Sequence, residues 1–294
     1  MKPTRQFRFS VWLILQLNRL APDLNGEIVQ AKRELSRYSG FEYSRAPSTA
    51  AAYGAAWLDV RDKRVLDIGC GLGGFERYYL ERGAREVIAI DLSRPHLLGA
   101  QGYVRAAIGQ PPILFGEVDA RRMAFGDNTF DVIVSSNTLE HIFGVEAALR
   151  EMARIIKPEG VICLNFPPYR SPWGAHLNNW IKFPWCQVLF SEEALVAAAN
   201  HIEDRVRLNA WMPEAIQLNL RGLQQIPHLN RLSLREFDQM LNRVPLKVVQ
   251  VEYKTLGWRA HRHIGRLTSL LARSVVLREL ITSQAIYILK KAAP

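Results

Sequence analysis

From residue 64 onward, short apolar runs alternate with amphipathic stretches. Arg64-Val-Leu-Asp-Ile-Gly-Cys70 is an apolar run ending at glycine, as a buried parallel strand reads. A helix is predicted over Gly73–Arg82, stopped by Gly83. Glu86–Asp91 is a second strand, and Pro95 opens a helix running to about Ala107. Ile113–Asp119 and Phe130–Ser136 are strands three and four. Val145, Leu149, Met152 and Ile156 share one face of a helix over 145–156. Lys157-Pro-Glu-Gly160 is predicted to end it before a fifth strand, Val161–Phe166. The rhythm then breaks over about 167–231. It resumes at Ser233 with Glu236 three residues on, a capping box opening a helix to Val244. Leu246–Leu256 and Ala285–Leu289 complete seven strands, with a further interruption over 257–282. Such alternation predicts an α/β fold: a mostly parallel sheet with helices on both faces.

Residues 1–60 read as a helical prelude or cap, with a polar, small-residue stretch over Ser36–Tyr53. The apolar run Val11–Leu15 follows Arg5 and Arg8. It is too short for a membrane span and has no A-x-A site, so it reads as a helix packing Trp12, Leu13 and Leu17 rather than as a cleaved signal. Residues 61–292 then form the main domain, interrupted at about 167–232 and 257–282. Insertions near the C-terminal end of such a sheet commonly shape binding sites.

Composition changes this picture in two ways. Three widely spaced cysteines, with no C-x-x-C pair among 294 residues, exclude a disulfide scaffold and suit a reducing compartment. No metal-ligand spacing is read from the chain. The net charge of +10 is uneven, because Arg205–Arg278 holds 13 basic and 4 acidic residues. Any anionic surface is therefore expected to meet the C-terminal third.

The first strand-to-helix turn, Asp67-Ile-Gly69-Cys-Gly71-Leu-Gly73-Gly74, lies where open α/β sheets bind ligands. Asp91, at the end of strand two, can accept hydrogen bonds from both hydroxyls of a ribose. Gly69, Gly71 and Gly74 also satisfy the dinucleotide fingerprint, a weak signal alone. Three features lean away from it. Asp67 would face an amino-acid ammonium well and a pyrophosphate badly. Asp119 with small Ala120 can accept from an adenine amino group and leave room for the ring. Strand four runs into Asn137-Thr-Leu-Glu-His-Ile142.

V-L-D-I-G-C-G-L-G at 65–73, A-I-D-L-S at 89–93, V-D-A at 118–120, F-D-V-I-V-S-S-N-T-L-E-H at 130–141 and K-P-E-G at 157–160 together resemble the class I S-adenosylmethionine-dependent methyltransferases of the type-11 group. The resemblance implies a Rossmann-like seven-stranded sheet whose last strand is antiparallel. It implies S-adenosylmethionine as cofactor, with Asp67, Gly69 and Gly71 at its methionine and ribose, Asp91 at the ribose, and Asp119 and Ala120 at the adenine. Asn137 would lie beside the methionine end, and Cys70, Gly73 and Leu92 complete the expected set.

Methyl transfer to a hydroxyl needs a proton acceptor beside an aligned nucleophile. His141 follows strand four and His176 follows strand five, so both are candidate bases. Tyr169 and Arg170 are read as substrate contacts or loop packing, and Trp173, Trp180, Trp185 and Trp211 as an aromatic wall or an insert core. Residues 258–278 show a basic amphipathic pattern that suits a membrane surface or phosphate-bearing partner. The insert, with Ser-Pro-Trp-Gly-Ala-His-Leu177, more loosely resembles bacterial methyltransferases of surface-glycan and lipid-sugar assembly. That favours O-methylation of a small-molecule or glycan acceptor, anionic or lipid-linked, by a cytoplasmic protein with peripheral contact at the inner membrane surface. RNA methylation and a nicotinamide-dependent oxidoreductase are the alternatives. RNA is less favoured because no RNA-binding module is present.

Overall fold

The computed structural model describes residues 4–22, 35–178, 180–206, 226, 228–255 and 274–292. Helices α1 (Arg5–Leu20) and α2 (Leu35–Tyr53) precede β1 (Arg64–Ile68), α3 (Gly74–Glu81), β2 (Glu86–Asp91), α4 (Arg94–Ile108), β3 (Ile113–Glu117) and β4 (Phe130–Ser136). A 3-10 turn (Leu139–His141), α5 (Val145–Ile155), β5 (Ile156–Phe166), α6 (Cys186–Leu189) and α7 (Glu192–Val206) follow. The chain closes with α8 (Leu234–Leu241), β6 (Leu246–Thr255), α9 (Val275–Ile281) and β7 (Thr282–Lys291). Strand order is β3-β2-β1-β4-β5-β7-β6. The first five strands are parallel, and β7 runs antiparallel to both β5 and β6. The order reverses between β1 and β4, so their C-terminal ends flank the switch-point crevice.

The capping box forms as predicted: Ser233 Oγ accepts from the Glu236 N–H, and Glu236 reaches back to the Ser233 N–H. It starts α8 so that Phe237 drops onto the sheet, with ring centroids 4.9 Å from Phe166 and 4.7 Å from Tyr287. Such aromatic pairs add about 0.5–1.5 kcal/mol each beyond the area they bury.

One boundary and one packing position differ from expectation. Lys157-Pro-Glu-Gly160 lies within β5 rather than ending a helix. Phe130 pairs with Ile156 and Val132 with Val161, so these four residues bulge out of the ladder. Lys157 anchors the bulge through a 2.7 Å ion pair to Asp131. The polar stretch over 36–53 is helical despite Pro47. Ala50–Ala52 favour helix, and the buried Ala46 and Tyr53 dock α2 on the body. In α1 the buried residue is Ile14, while Trp12, expected to pack, is 53% exposed and stacks on Phe9. Ile14 joins Trp180, Ile181, Leu195 and Ala199 in a core shared between α1 and the insert after β5.

Among the described residues, no helix is long and apolar enough to cross a membrane. The basic stretch 258–278 lies outside the described residues up to 273, as does Trp211.

Candidate active site

The glycine-rich turn leaves β1 at the switch point. Gly69 has φ +78°, and a Cβ there would stand 2.3 Å from Thr138 Oγ1 and Cγ2. The glycine is thus required by the close approach of the turn after β4. That contact also fixes the distance between the loops after β1 and β4.

Four carboxyl groups gather at this turn. Asp67 and Glu76 are buried together, and burial raises both above the ordinary carboxylate range. Asp67 and Glu76 share a side-chain hydrogen bond when one of them is protonated, and apart from it neither Glu76 oxygen finds a side-chain donor among the described residues. Asp91 accepts from the N–H groups of Gly71 at 3.1 Å and Ser93 at 2.8 Å. Burial works to raise it, but His96 and these backbone donors outweigh that and leave it below its ordinary value. The fourth, Glu42 of α2, was not identified from the sequence. Burial pushes it up to about 8 against the pull of the Gly74 and Leu72 N–H groups. The Cys70 thiol sits among all four acids, and burial plus their charge hold it protonated. Cys70 is therefore a packing residue here and not a nucleophile.

Helix α2 reaches the turn because Ser39 Oγ donates to the Leu72 carbonyl at 2.8 Å. Nothing near Glu42 in sequence signals this contact, since it pairs α2 with a turn some thirty residues away.

The other expected cofactor residues fall into two groups. Leu92, just after Asp91, is 68% exposed, and Asn137 lies at the end of β4 with φ +53°. Asn137 Oδ1 accepts from Gln284 Nε2 of β7 at 2.6 Å. Both oxygens of Asp119 accept from the Arg121 guanidinium, and this pairing lowers its pKa. Ala120 is buried in the main core. Arg121 reaches on to the Phe143 carbonyl, so this pair braces the loop after β4.

The two candidate bases come together although 35 positions apart in sequence. His141 and His176 have ring centroids 5.1 Å apart. His141 Nδ1 lies 2.7 Å from the His228 carbonyl. A carbonyl only accepts, so Nδ1 carries the proton and Nε2 keeps its lone pair. The segment carrying His228 is clamped to the 3-10 turn. Asn230 Nδ2 donates to the Leu139 and Ile142 carbonyls, both at 2.7 Å. His141 is also within electrostatic reach of Asp91, which ties the pair to the cofactor side.

His176 is delivered by the tight turn after β5. Gln187 Nε2 donates to the carbonyls of Tyr169 and Ser171, and the Trp185 N–H donates to Pro172. Tyr169 is a packing residue: its hydroxyl donates to Glu192, which also holds Arg231 at 2.6 and 2.7 Å. Trp180 is buried in the insert core, and Trp185 Nε1 donates to the Leu280 carbonyl. Both tryptophans therefore build the insert rather than wall a pocket.

Residues 66–164 match the model of a methyltransferase domain. This stretch of the chain is a methyltransferase domain, of the kind found in S-adenosylmethionine-dependent methyltransferases. The methyltransferase domain is 36% identical over 109 residues to phosphoethanolamine N-methyltransferase 3 of Arabidopsis thaliana, covering 36% of this chain and 22% of that protein. The chain thus spans about a fifth of the length of the phosphoethanolamine N-methyltransferases it matches. It is 27% identical over 217 residues to malonyl-[acyl-carrier protein] O-methyltransferase of Salmonella typhimurium, covering 71% and 70% of the two chains. The fold matches an S-adenosylmethionine-dependent methyltransferase from Mesorhizobium loti with a TM-score of 0.52 at 20% identity, over 82% of this chain and 96% of that one. It also matches the [4+2]-cyclase SpnF with a TM-score of 0.53 at 15% identity, over 83% and 80%. That second match shows that the fold alone does not dictate the reaction.

The residues present fit the cofactor of this family. Buried carboxyls, Glu42 with its unpartnered Oε2 and Glu76, lie at the glycine turn, where a molecule bearing an ammonium and a sulfonium would compensate them. A pyrophosphate would oppose their ionisation and leave them uncompensated, which disfavours the nicotinamide alternative.

Proposed function

We propose that this chain transfers a methyl group from S-adenosylmethionine to a hydroxyl of a small molecule or glycan, with a lipid-linked sugar as the preferred acceptor class. The observation that carries this reading is the pairing of an acidic cradle at the β1 turn with the His141–His176 pair beside it. When bound, S-adenosylmethionine supplies an electrophilic methyl, which forms a bond to the acceptor oxygen while the electrons of the carbon–sulfur bond remain on sulfur.

The chain's own work is to hold, align and deprotonate. Asp67, Glu76 and Glu42 face the cationic end, and Asp91 presents its carboxylate to the ribose hydroxyls. Leu92 offers an apolar side chain to the adenine. Nε2 of His141 accepts the hydroxyl proton, because its Nδ1–H is already committed to His228. His176 lies close enough to share that load. The proton requirement favours oxygen, since a neutral amine attacks through a lone pair it already has.

Relatives act on both nitrogen and oxygen acceptors, so the acceptor is tested directly. Tritiated methyl groups from S-adenosylmethionine are followed into lipid, polysaccharide, RNA and small-molecule fractions of a lysate. Label in the lipid or polysaccharide fraction supports this reading. Label confined to RNA replaces it. A lipid-linked acceptor also accounts for α1, which carries Arg5, Arg8 and Arg19, no acidic residue, and exposed Phe9 and Trp12. Such a helix suits a peripheral position on an anionic bilayer.

A further inference from the structure

The side chains of Glu140, His141 and His176 each offer a ligand atom, and these atoms all lie within 4.8 Å of one another. We infer that Glu140, His141 and His176 form a binding site for a first-row divalent cation beside the acceptor position. No metal spacing is legible along the chain because the third ligand comes from a different loop.

Three independent observations support the site. First, Glu140 is 4% exposed, and neither of its oxygens has a hydrogen-bond partner among the described residues. An ionised carboxylate so placed is costly unless a cation compensates it. His176 Nε2 approaches it at 3.8 Å, too long for a hydrogen bond but close to the separation of two ligands on one ion. Second, His141 donates Nδ1–H to a backbone carbonyl. This outer contact fixes the tautomer and leaves Nε2 as the ring nitrogen with a lone pair to offer an ion, as in metal-ligating histidines. Third, His176 holds φ +54°. A left-handed backbone at a non-glycine residue is strained, and it persists here where it brings an imidazole to Glu140.

The donor set identifies the class of ion. Two imidazoles and one carboxylate suit Mn²⁺, Fe²⁺, Co²⁺ or Zn²⁺, whereas Mg²⁺ and Ca²⁺ prefer all-oxygen sites. Three protein ligands leave positions open for an acceptor oxygen, whose proton the cation would make easier to remove. This role deepens the proposed O-methylation and rests on it: in the cation-bound protein His141 Nε2 serves as a ligand, and the proton released from the cation-bound acceptor oxygen passes to water instead of to the imidazole. The cation site itself stands on the three side chains alone.

Cobalt titration of the chelator-treated full chain tests the inference. Visible absorption and calorimetry are read in parallel, and S-adenosylhomocysteine affinity is measured on the same samples. One equivalent of Co²⁺ per chain is expected, with visible d–d bands. Affinity is expected to fall at least tenfold in Glu140→Gln and in His176→Asn, and to hold in His201→Asn. His176 is part-exposed on a turn, so its variant keeps the test decisive should Glu140→Gln fail to fold. Absence of saturable cobalt binding, or its retention in His176→Asn and in folded Glu140→Gln, overturns the inference. If cobalt binds and S-adenosylhomocysteine does not, the site stands and the methyltransferase reading falls. The reverse result removes the site alone.

Discussion

Glu42 Oε1 lies 3.2 Å from the point where a Cβ on Gly71 would stand. A carboxyl from the N-terminal helix α2 is thus applied to the glycine turn of the nucleoside-binding domain. Replacing it tests whether α2 belongs to the cofactor site. Glu42→Gln keeps the shape and removes the charge. It is expected to weaken S-adenosylhomocysteine about tenfold, equivalent to about 1.4 kcal/mol, measured by calorimetry at pH 8.5. An unchanged affinity would make α2 a scaffold only.

The same carboxyl gives the protein a pH signature. Its folded pKa of about 8 lies above the ordinary value of 4.5. The protonated form is the one favoured on folding, so its contribution is complete below about pH 4.5 and is lost as pH rises through about 8. Between pH 5 and pH 9 the cofactor-free protein is expected to lose thermal stability, and Glu42→Gln to lose less. Parallel melting curves for the two proteins across that range would refute the assignment.

Gly69→Ala attacks the junction of the loops after β1 and β4. The substitution strains a positive φ, at roughly 1–2 kcal/mol, and drives a methyl into Thr138. A fall of several degrees in melting temperature is expected, together with loss of S-adenosylhomocysteine binding. A variant that melts and binds like the parent would show that the two loops are not in contact.

Gly174→Ala separates the acceptor side from the cofactor side. A Cβ there would stand 2.2 Å from the Tyr169 carbonyl oxygen and 2.4 Å from that of Pro168. The turn that delivers His176 must then open. Methyl transfer is expected to fall at least tenfold while S-adenosylhomocysteine affinity stays within a factor of about three. Equal losses in both measurements would mean that this turn supports the whole fold.

Asn230→Ala removes one amide that holds two carbonyls of the 3-10 turn. Leaving buried acceptors without a donor costs about 1–3 kcal/mol, which thermal melting would register. The His141 ring also loses its guide, because the His228 carbonyl comes from the same segment. The acid limb of the rate profile is therefore expected to shift. A lowered rate with an unshifted profile would assign Asn230 to stability alone.

Most of the sheet and the cofactor loop was legible because the signals are local. Arg64–Ile68, Glu86–Asp91 and Phe130–Ser136 are apolar runs closed by turn residues, and Ser233 with Glu236 announces α8 within four positions. What failed was set by partners distant in sequence. Lys157–Gly160 reads as a helix stop, yet Asp131 across the sheet draws it into a bulged strand. Glu42 is one acid among polar neighbours until α2 crosses the Gly71 turn. His141 and His176 were each legible as candidates. Their closeness to each other and to the buried Glu140 was not.

The three cysteines are buried, and burial raises each thiol above its ordinary value, Cys186 to about 12. Thiol reagents should therefore be slow toward the native protein. Cys70 occupies the centre of the glycine turn, so its rate of alkylation is a clock for the opening of that turn alone. The molecule carries its own reporter of loop breathing, readable by mass spectrometry without any introduced label.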